Sequence, residues 1–445
     1  RPLTTGKELT AAHAQYAASL GIPMVDEVSA LCGCDWLLDG LFGFGLTRSL
    51  EGAIADAIDQ VNGWRRPVVS IDLPSGLHTD TGAVLGTAVR ATHSLCLGLW
   101  KRAFFQDQAL DYIGRAELLD FDLPLADVQA VLGAEPLVQR ITTERAIAAL
   151  PLPLSPITHK YKRGHVLLIC GSRQYPGAAI LSGLAARASG VGMLTVAVPA
   201  SLQPMLVSHI PDALVLGCPE TETGAIAQLP PELSWERYQA VACGPGLSRD
   251  AMAVVQQVVQ SDRPLILDAD GLNSLAALGA VVTLGQRSAP TILTPHGGEF
   301  QRLFPTLTAP DANPPGGDRL ALVQAAAQAC GAIVLLKGAR VAIATPHGQI
   351  WLNPDSTPAL ARGGSGDILT GLMAGLMAGL MAKLTTELTD KQSDRQLQTA
   401  LDAAIAATWW HSQAALLAAQ TQTELGVDAS TLVQWLHPSL RPHLP

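Results

Sequence analysis

Short apolar runs that end on a polar or glycine-rich stretch recur along most of this chain. Between them lie longer segments, such as residues 50–61, in which the apolar positions follow the helical spacing of three and four residues. The alternation of strand, glycine-rich loop and helix is typical of an α/β fold built on a mainly parallel sheet. The pattern therefore predicts a doubly wound α/β protein.

The first part of the chain is predicted to contain three strands, at residues 36–41, 67–73 and 91–97. Helices are predicted at 8–20 and 50–61. Residues 119–156 lose this rhythm and gain prolines, as interdomain segments do. We therefore predict two doubly wound domains, with an incomplete Rossmann-like domain first. The predicted boundaries are residues 1–125 for the first domain, 126–150 for a linker and 151–445 for the second domain.

A second series of strands follows the predicted linker. Its members are residues 165–170, 193–198, 240–243, 264–267, 291–293 and 333–336, followed by a hairpin at 341–344 and 349–352. Most of these strands end on glycine or on a polar residue. Ligands of open α/β sheets bind beyond the carboxyl ends of the strands. A functional cleft is therefore predicted at that edge of the second sheet.

Residues 368–384 form the most apolar segment of the chain. Gly371, Gly375 and Gly379 recur every four residues, which places them on one helical face and permits close helix packing. The segment is short for a membrane span, which takes about 20 residues. We predict a buried helix of a soluble protein and no contact with a membrane.

Composition and charge narrow the functional classes. The formal net charge of −9 argues against a nucleic-acid partner. The seven cysteines are scattered and odd in number, which fits a reducing compartment. No signal peptide is visible, so a cytoplasmic location is expected. The sequence begins at Arg1 without an initiator Met, and a fragment of a longer protein is one interpretation.

The stretch at 361–371 carries the strongest chemical signal. Gly363, Gly364 and Gly366 surround Ser365, and Asp367 follows at the start of the apolar helix. A glycine-rich loop that leads into a helix presents unpaired N–H groups and the positive end of the helix dipole, which suits a phosphoryl group. Asp367 beside this anion hole could accept a proton from an attacking hydroxyl. The alternative is an ordinary loop in which Asp367 caps the helix.

Several further motifs occur in a fixed order and resemble the NAD(P)H-hydrate dehydratases of the ribokinase-like superfamily. They are His159-Lys160-Tyr161, Gly177-Ala178-Ala179, Gly244-Pro245-Gly246, Asp268-Ala269-Asp270, Pro295-His296 with Glu299, Lys337-Gly338 and Gly364-Ser365-Gly366-Asp367. The resemblance covers about residues 150–440 and implies a ribokinase-like fold for the second domain. Many small-molecule kinases share Gly-x-Gly-Asp, but the stretches at 268–273 and 295–299 point to this branch.

Residues 8–125 resemble the NAD(P)H-hydrate epimerase domain that precedes the dehydratase in bifunctional bacterial repair enzymes. The matching pieces are 38–39 with 43–49, 71–76 and 93–101. The family's domain begins earlier, with an Asn-Asn-Gly-Gly-Asp-Gly loop that binds the dinucleotide, and this sequence does not contain that loop. The expectation is that the sequence is truncated or that this half is degenerate, so epimerase activity is expected only of a longer protein.

The resemblance implies a repair reaction. Hydrated NAD(P)H carries a hydroxyl on its reduced nicotinamide ring. The family phosphorylates that hydroxyl, with ADP as the bacterial donor and AMP as a product, and phosphate then leaves. Asp367 is implied as the catalytic base, and Mg²⁺ as the bridge between the phosphates. The choice between ADP and ATP, and between NADH hydrate and NADPH hydrate, stays open. Family members form homo-oligomers, so one is expected here.

The resemblance also assigns binding residues. Those implied for the hydrated dinucleotide in the second domain are Ala178, Gly246, His296 and Asp367. Those implied for the adenine nucleotide are Lys337, Gly338, Ala339, Arg340, Val341 and Gly366, although the family usually has Thr at the position of Val341. Those implied for the hydrated cofactor in the first domain are Gly43, Phe44, Gly45, Leu46, Thr47, Arg48, Ser49 and Asp72. Asp39 and Ser75 match positions that bind a potassium ion.

Other interpretations stay open at this point. His296 could be a packed or solvated histidine, and Asp268 and Asp270 could cap the following helix. The whole chain could be a kinase of a vitamin precursor or sugar from the same superfamily. A non-catalytic nucleotide-binding scaffold is the third possibility, and it would not depend on the carboxylate of Asp367.

Overall fold

The computed structural model describes residues 8–309, 318–384 and 392–444, and the chain divides into two compact units. The first unit runs to Glu135 and includes residues 318 and 319, and the second contains the rest of the chain from Pro136 on. Each unit has its own sheet. The predicted α/β class is therefore observed, with one sheet in each of two units.

The first unit is built on four parallel strands in the order β1-β2-β3-β4. The strands are β1 (Leu37–Asp39), β2 (Val68–Ile71), β3 (His93–Leu97) and β4 (Arg115–Leu119). The helices are α1 (Glu8–Ser19), α2 (Ala53–Gly63), α3 (Leu110–Ile113) and α4 (Leu125–Leu132). Leu46, Leu50 and Ile58 form the buried core on the α2 side.

The first three strands and the first two helices were predicted from the sequence, but β4 was missed. The residues of β4 alternate between exposed and half-buried, and none of them is fully buried. A strand at the edge of a sheet has little apolar pattern because it packs on only one side. Its short run of mixed residues therefore carries no clear signal.

The second unit contains a sheet of ten strands in the order β5-β14-β13-β12-β11-β10-β9-β6-β7-β8. The strands are β5 (Val138–Arg140), β6 (His165–Ile169), β7 (Met193–Pro199), β8 (Leu214–Cys218), β9 (Ala240–Cys243), β10 (Leu265–Leu267), β11 (Thr291–Leu293), β12 (Ile333–Leu336), β13 (Val341–Ala344) and β14 (Ile350–Asn353). The helices are α5 (Thr143–Ala148), α6 (Pro176–Ala188), α7 (Gln203–His209), α8 (Met252–Val259), α9 (Asp270–Leu278), α10 (Ala280–Leu284), α11 (Gly297–Leu303), α12 (Arg319–Cys330), α13 (Ser365–Leu384), α14 (Gln392–Gln422) and α15 (Ala429–Leu440).

The strands from β8 to β12 in this order are all parallel, and β13 and β14 add the predicted hairpin. The chain proceeds from β6 outward to β7 and β8, and then returns to place β9 on the other side of β6. The strand order therefore reverses between β6 and β9. A crevice forms at such a switch point, beyond the carboxyl ends of the two strands.

The segment predicted to be a linker, residues 126–150, differs from that expectation. It contains most of α4 together with β5 and α5, and β5 pairs with β14 in parallel at the edge of the large sheet. The unit boundary falls after Glu135. The pattern did not reveal β5 because a three-residue edge strand with the sequence Val-Gln-Arg has almost no apolar signal.

Helix α13 lies in the core, as predicted for residues 368–384. It is long and apolar enough to cross a membrane by composition, yet most of its length is buried against α6 and α14. At Gly371 a Cβ atom would overlap the Ser182 carbonyl group of α6. At Gly375 it would lie 2.7 Å from the Ala186 carbonyl oxygen. The two glycines therefore set how closely α13 approaches α6.

Gly371→Ala is expected to lower the free energy of unfolding by about 2 kcal/mol, because overpacking the helix contact outweighs the gain in helix propensity. Gly379→Ala is the matched control on the same helix face. There the Cβ atom would meet its nearest neighbour, the Arg163 carbonyl oxygen, at 3.5 Å. The control should be neutral or stabilising by up to about 1 kcal/mol. Urea unfolding measures both, and equal effects would contradict the close packing.

Candidate active site

The first turn of α13 forms an open anion cradle. Gly364 has φ of +92°, which glycine adopts without strain, and the helix begins at Ser365 directly after it. Among the residues that the structure describes, the backbone N–H groups of Gly366 and Asp367 have no hydrogen-bond acceptor. A Cβ atom at Gly363 would meet nothing within 4 Å, so this side of the loop is open. The predicted anion-hole residues thus surround unpaired N–H groups at a helix N-terminus.

Below the cradle, the buried imidazole of His411 on α14 supports the start of the helix. Its Nε2 lies 3.0 Å from the carbonyl oxygen of Ser365 and 3.3 Å from the Ser365 hydroxyl. Burial lowers the pKa of His411 to about 4, although the bond to Ser365 opposes that effect. The imidazole is therefore neutral at pH 7, and its Nε2–H donates to the Ser365 carbonyl.

Lys337, at the end of β12, lies among carboxylates. Its Nζ is 2.8 Å from Oδ1 of Asp268 and 4.0 Å from Oε2 of Glu299. The other oxygen of Asp268 accepts a hydrogen bond of 2.8 Å from the Thr370 hydroxyl on α13. Burial would lower the pKa of Lys337, but Asp268 and Glu299 outweigh it and hold that pKa above its usual value. The ammonium group therefore stays charged.

Asp367 is close to this pair, and its carboxyl group is perturbed. Burial and the Asp268 carboxylate raise the pKa of Asp367 to about 6, while Lys337 partly opposes them. Burial also raises the pKa of the Cys170 thiol, and the Asp367 carboxylate adds to that rise, which locates Asp367 near the end of β6. A carboxylate with a pKa just below 7 is ionised at neutral pH and still basic enough to accept a proton.

The residues predicted to bind the hydrated dinucleotide fall into two groups at this edge of the sheet. Ala178 and Gly246 are neighbours, since a Cβ atom at Gly246 would lie 2.7 Å from Cβ of Ala178. His296 caps α11 through its Nδ1, which accepts from Gly298 N, and its side chain is 56% exposed. Its Nε2 lies 3.5 Å from Oε1 of Glu299, and the other carboxylate oxygen of Glu299 lies 4.0 Å from Nζ of Lys337. His296 is therefore both a capping residue and accessible.

The residues predicted to bind the adenine nucleotide differ in their exposure and in their distance from the carboxylates. Gly366 lies beside Lys337, because a Cβ atom at Gly366 would be 3.5 Å from Nζ. Gly338 and Ala339 are exposed in the turn after β12, and Arg340 is half-buried. Val341 is the first residue of β13 and packs on the main core. Lys337 and Gly366 are the members of this set that border the carboxylate cluster.

In the first unit the structure gathers the glycine loop around Asp72. Asp72 has φ of +72°, its carboxylate pairs with Lys101, and it accepts a hydrogen bond of 3.2 Å from Phe44 N. A Cβ atom at Gly43 would lie 3.0 Å from Asp72 Oδ2. Gly45 N donates to the Thr79 hydroxyl. The side chain of Leu46 packs into the core, whereas Thr47, Arg48 and Ser49 are exposed.

The two residues predicted to bind potassium also meet. The Ser75 hydroxyl donates to Asp39 Oδ1 at 2.6 Å, and Ser75 N and the Ser70 hydroxyl donate to Oδ2. Both oxygens of Asp39 are thus taken by protein donors. Within the described residues no group of three or more His, Cys, Asp or Glu side chains is placed to hold a metal ion. The potassium site at Asp39 and Ser75 therefore stays a prediction.

Comparison with known proteins identifies the family. The family model described as NAD(P)H-hydrate dehydratase matches residues 166–438, and the one described as YjeF-related protein N-terminus matches residues 2–103. The bifunctional NAD(P)H-hydrate repair enzyme Nnr of Synechocystis sp. is 52% identical over 444 residues, which cover 100% of this chain and 80% of the relative. The enzyme of the same name from Thermosynechococcus vestitus is 51% identical and covers 99% and 82%.

The chain belongs to the family of bifunctional NAD(P)H-hydrate repair enzymes. Among solved structures, the ADP/ATP-dependent NAD(P)H-hydrate dehydratase of Bacillus subtilis, co-crystallised with ATP and Mg²⁺, is 30% identical with a TM-score of 0.54. It covers 69% of this chain and 99% of its own length. A ribokinase-like superfamily protein from Enterococcus faecalis, 23% identical, has the same fold with a TM-score of 0.53, and 69% and 96% are covered. The predicted ribokinase-like fold of the second unit is thereby confirmed.

Sequence reasoning missed two members of this repair-enzyme site and left a third open. Thr370 follows Asp367 by three residues, so helical spacing could have placed it on the same face. His411 lies 46 residues beyond Ser365 on another helix, and no local signal connects them. Asp268, which could have been a helix cap, instead binds Lys337. Its neighbour Asp270 has the structural role, because it accepts hydrogen bonds from Ser248 N and the Asn273 side chain.

Asp367→Asn is expected to stabilise the second unit at pH 7.5. The folded-state pKa of Asp367 is raised from 3.8 to about 6, so its ionisation opposes folding above that pH, by about 3 kcal/mol at most. The gain should shrink as the pH falls below 6, where the native carboxyl group is protonated. Urea unfolding of both proteins at pH 7.5 and 5.0 measures this effect. A variant less stable than wild type at pH 7.5 would contradict it.

Proposed function

We propose that this chain removes water from hydrated NAD(P)H, in the S form, by transferring a phosphoryl group from ADP to the ring hydroxyl. The observation that carries the proposal is the Asp367 carboxylate, with its pKa of about 6, beside the unpaired N–H groups of the α13 cradle. The names of the similar proteins support it, since both the repair enzymes and the Bacillus dehydratase act on NAD(P)H hydrate.

In the first step Asp367 accepts the proton of the substrate hydroxyl as that oxygen attacks the terminal phosphorus of ADP. A new O–P bond forms, and the bond between that phosphorus and the bridging oxygen breaks, so AMP leaves. The ring carbon–oxygen bond then breaks, and phosphate departs with the electron pair. A proton lost from the neighbouring ring carbon restores the double bond. The logic is that hydroxide is a poor leaving group, whereas phosphate is a good one.

The surrounding residues supply positioning and charge. The N–H groups of Gly366 and Asp367 face the negative charge that spreads over the transferred phosphoryl group. Lys337 brings a fixed positive charge next to Gly366, and Asp268 with Thr370 holds that ammonium in place. The other residues predicted to bind the nucleotide would contact the part of ADP that lies farther from Asp367. They are Gly338, Ala339, Arg340 and Val341.

The donor set fits a magnesium ion that is carried mainly by phosphate oxygens. Mg²⁺ usually takes one or two protein carboxylates plus substrate phosphates and water. Glu299, beside Lys337, would hold the hydrated ion, since both oxygens of Asp268 already bind Lys337 and Thr370. When bound, Mg²⁺ neutralises charge on the phosphates. Ala178, Gly246 and His296 would bind the hydrated dinucleotide across the crevice between β6 and β9.

For the first unit we propose a part in the epimerase reaction of a longer protein. The glycine loop, from Gly43 to Ser49, and Asp72 would bind the hydrated cofactor, with Lys101 fixing the Asp72 carboxylate. Asp39 and Ser75 would contribute to a potassium site only together with further oxygen ligands, because both oxygens of Asp39 already accept hydrogen bonds from the protein. The proposed part of the first unit is therefore to bind the hydrated cofactor.

The compartment and the assembly are also proposals. All seven cysteines are free thiols, and five of them are buried, which suits a reducing cytoplasm. The acidic balance of the chain gives no basis for a nucleic-acid partner. A homo-oligomer is proposed from the family resemblance alone.

Asp367→Asn is expected to lower turnover of hydrated NADH with ADP by at least about 1,000-fold, because the attacking hydroxyl loses its base. ADP binding should change by less than about threefold. Restored absorbance of reduced nicotinamide, together with released phosphate, measures the reaction. Asp270→Asn is the matched control and should keep wild-type rates. Retention of activity in Asp367→Asn would contradict the proposal, and a stable phosphorylated product would identify a kinase instead.

The rate of single-turnover dehydration is expected to fall as the pH is lowered, with an apparent pKa of about 6. The sign follows from Asp367, which acts only when ionised and has its pKa raised to that value. Because Lys337 lowers the pKa of Asp367, Lys337→Met should move this limb to higher pH as well as reduce the rate. An acid limb that stays at the same pH in Lys337→Met would rule out this coupling.

A further inference from the structure

A second cavity lies in the second unit, at the opposite edge of the sheet from Asp367. Its volume is about 380 Å³. Its lining comes from the segments that precede β6 and β7, where Arg163 and Gly190 lie, and from the later half of α13 around Gly379. Gly379 is twelve residues beyond Asp367, which corresponds to about 18 Å along the helix axis. This cavity is therefore separate from the proposed reaction centre.

The cavity lining contains three cationic side chains. Lys162, Arg163 and Lys383 contribute to its lining, whereas none of the described lining residues is Asp or Glu. The guanidinium of Arg163 lies along the Gly190 backbone, because a Cβ atom at Gly190 would be 2.9 Å from Nη2. Its buried Nε has no hydrogen-bond partner within the described ranges. Among the described residues of the lining, positive side chains are therefore present without a carboxylate to oppose them.

The remaining walls are of two kinds. Ser155 and Thr158 also contribute to the lining, and their hydroxyls can donate hydrogen bonds. Pro151 and Pro153 form apolar walls, and Gly379 on α13 forms the floor beside them. The volume falls in the range of small-molecule sites, and it exceeds what an inorganic ion needs. Such a cavity suits a compact ligand with an anionic group and an apolar body.

We propose that this cavity is a binding site for a small phosphate monoester with an apolar body. A phosphate dianion matches a guanidinium fork with lysines beside it, and it can use more donors than a carboxylate can. The apolar body would lie against Gly379 and the two prolines. The proposal is independent of the dehydration reaction, since it concerns other residues at the other edge of the sheet.

Phenyl phosphate is the probe, and isothermal titration calorimetry measures its binding to the whole chain. Saturating ADP is present throughout, so that the proposed nucleotide site is occupied. Wild type should bind it, and Arg163→Gln should weaken binding at least tenfold. Gly379→Met should do the same by filling the floor without changing charge. Arg187→Gln is the matched control, because Arg187 pairs with Asp212 outside the cavity and should leave binding unchanged.

Phenol, which lacks the phosphate, should show no binding in the same titration. The proposal is overturned if wild type does not bind phenyl phosphate, or if Arg163→Gln and Gly379→Met bind it as wild type does. It is also overturned if binding occurs only without ADP, since the phosphate would then occupy the α13 cradle. Urea unfolding of each variant separates a lost site from a lost fold.

Discussion

The ion pair between Lys337 and Asp268 is the interaction on which the rest of the site depends. Three carboxylates, those of Asp268, Glu299 and Asp367, lie around one ammonium group. Lys337 is the positive charge that offsets these carboxylates in a partly buried place. With it, Asp268 is fully paired, and Asp367 is left with a pKa of about 6. One cation thus pairs with Asp268 and also limits how far burial and Asp268 raise the pKa of Asp367.

The fold serves this arrangement by bringing strand ends and one helix start to the same point. Lys337 follows β12 and Asp268 follows β10, and the strand order switches between β6 and β9 in the same sheet, a point at which such sheets bind ligands. Asp367 lies in the first turn of α13, and the glycine face of this helix lets the helix pack tightly on α6. His411 fixes the first residue of that helix from below. The cradle therefore rests on core packing and not on the loop alone.

The sequence was most informative where burial is complete. The central strands of the second unit are continuous apolar runs, so their places and their polar ends could be predicted from pattern alone. The edge strands β4 and β5 bury little and left no comparable signal. The family motifs pointed to Asp367, Lys337 and His296. The partner His411 depends on a tertiary contact between helices, which one sequence without its fold does not reveal, whereas helical spacing could have placed Thr370 beside Asp367.

The most direct test of the account is the titration of the Asp367 carboxyl group itself, followed by its carbonyl stretch in infrared difference spectra of wild type minus Asp367→Asn. The account predicts a single midpoint near pH 6, which moves upward when Lys337 is replaced by Met. A midpoint near pH 4 that is the same in wild type and in Lys337→Met would mean that Asp367 is an ordinary surface carboxylate. In that case the ion pair would have no influence on the proposed base.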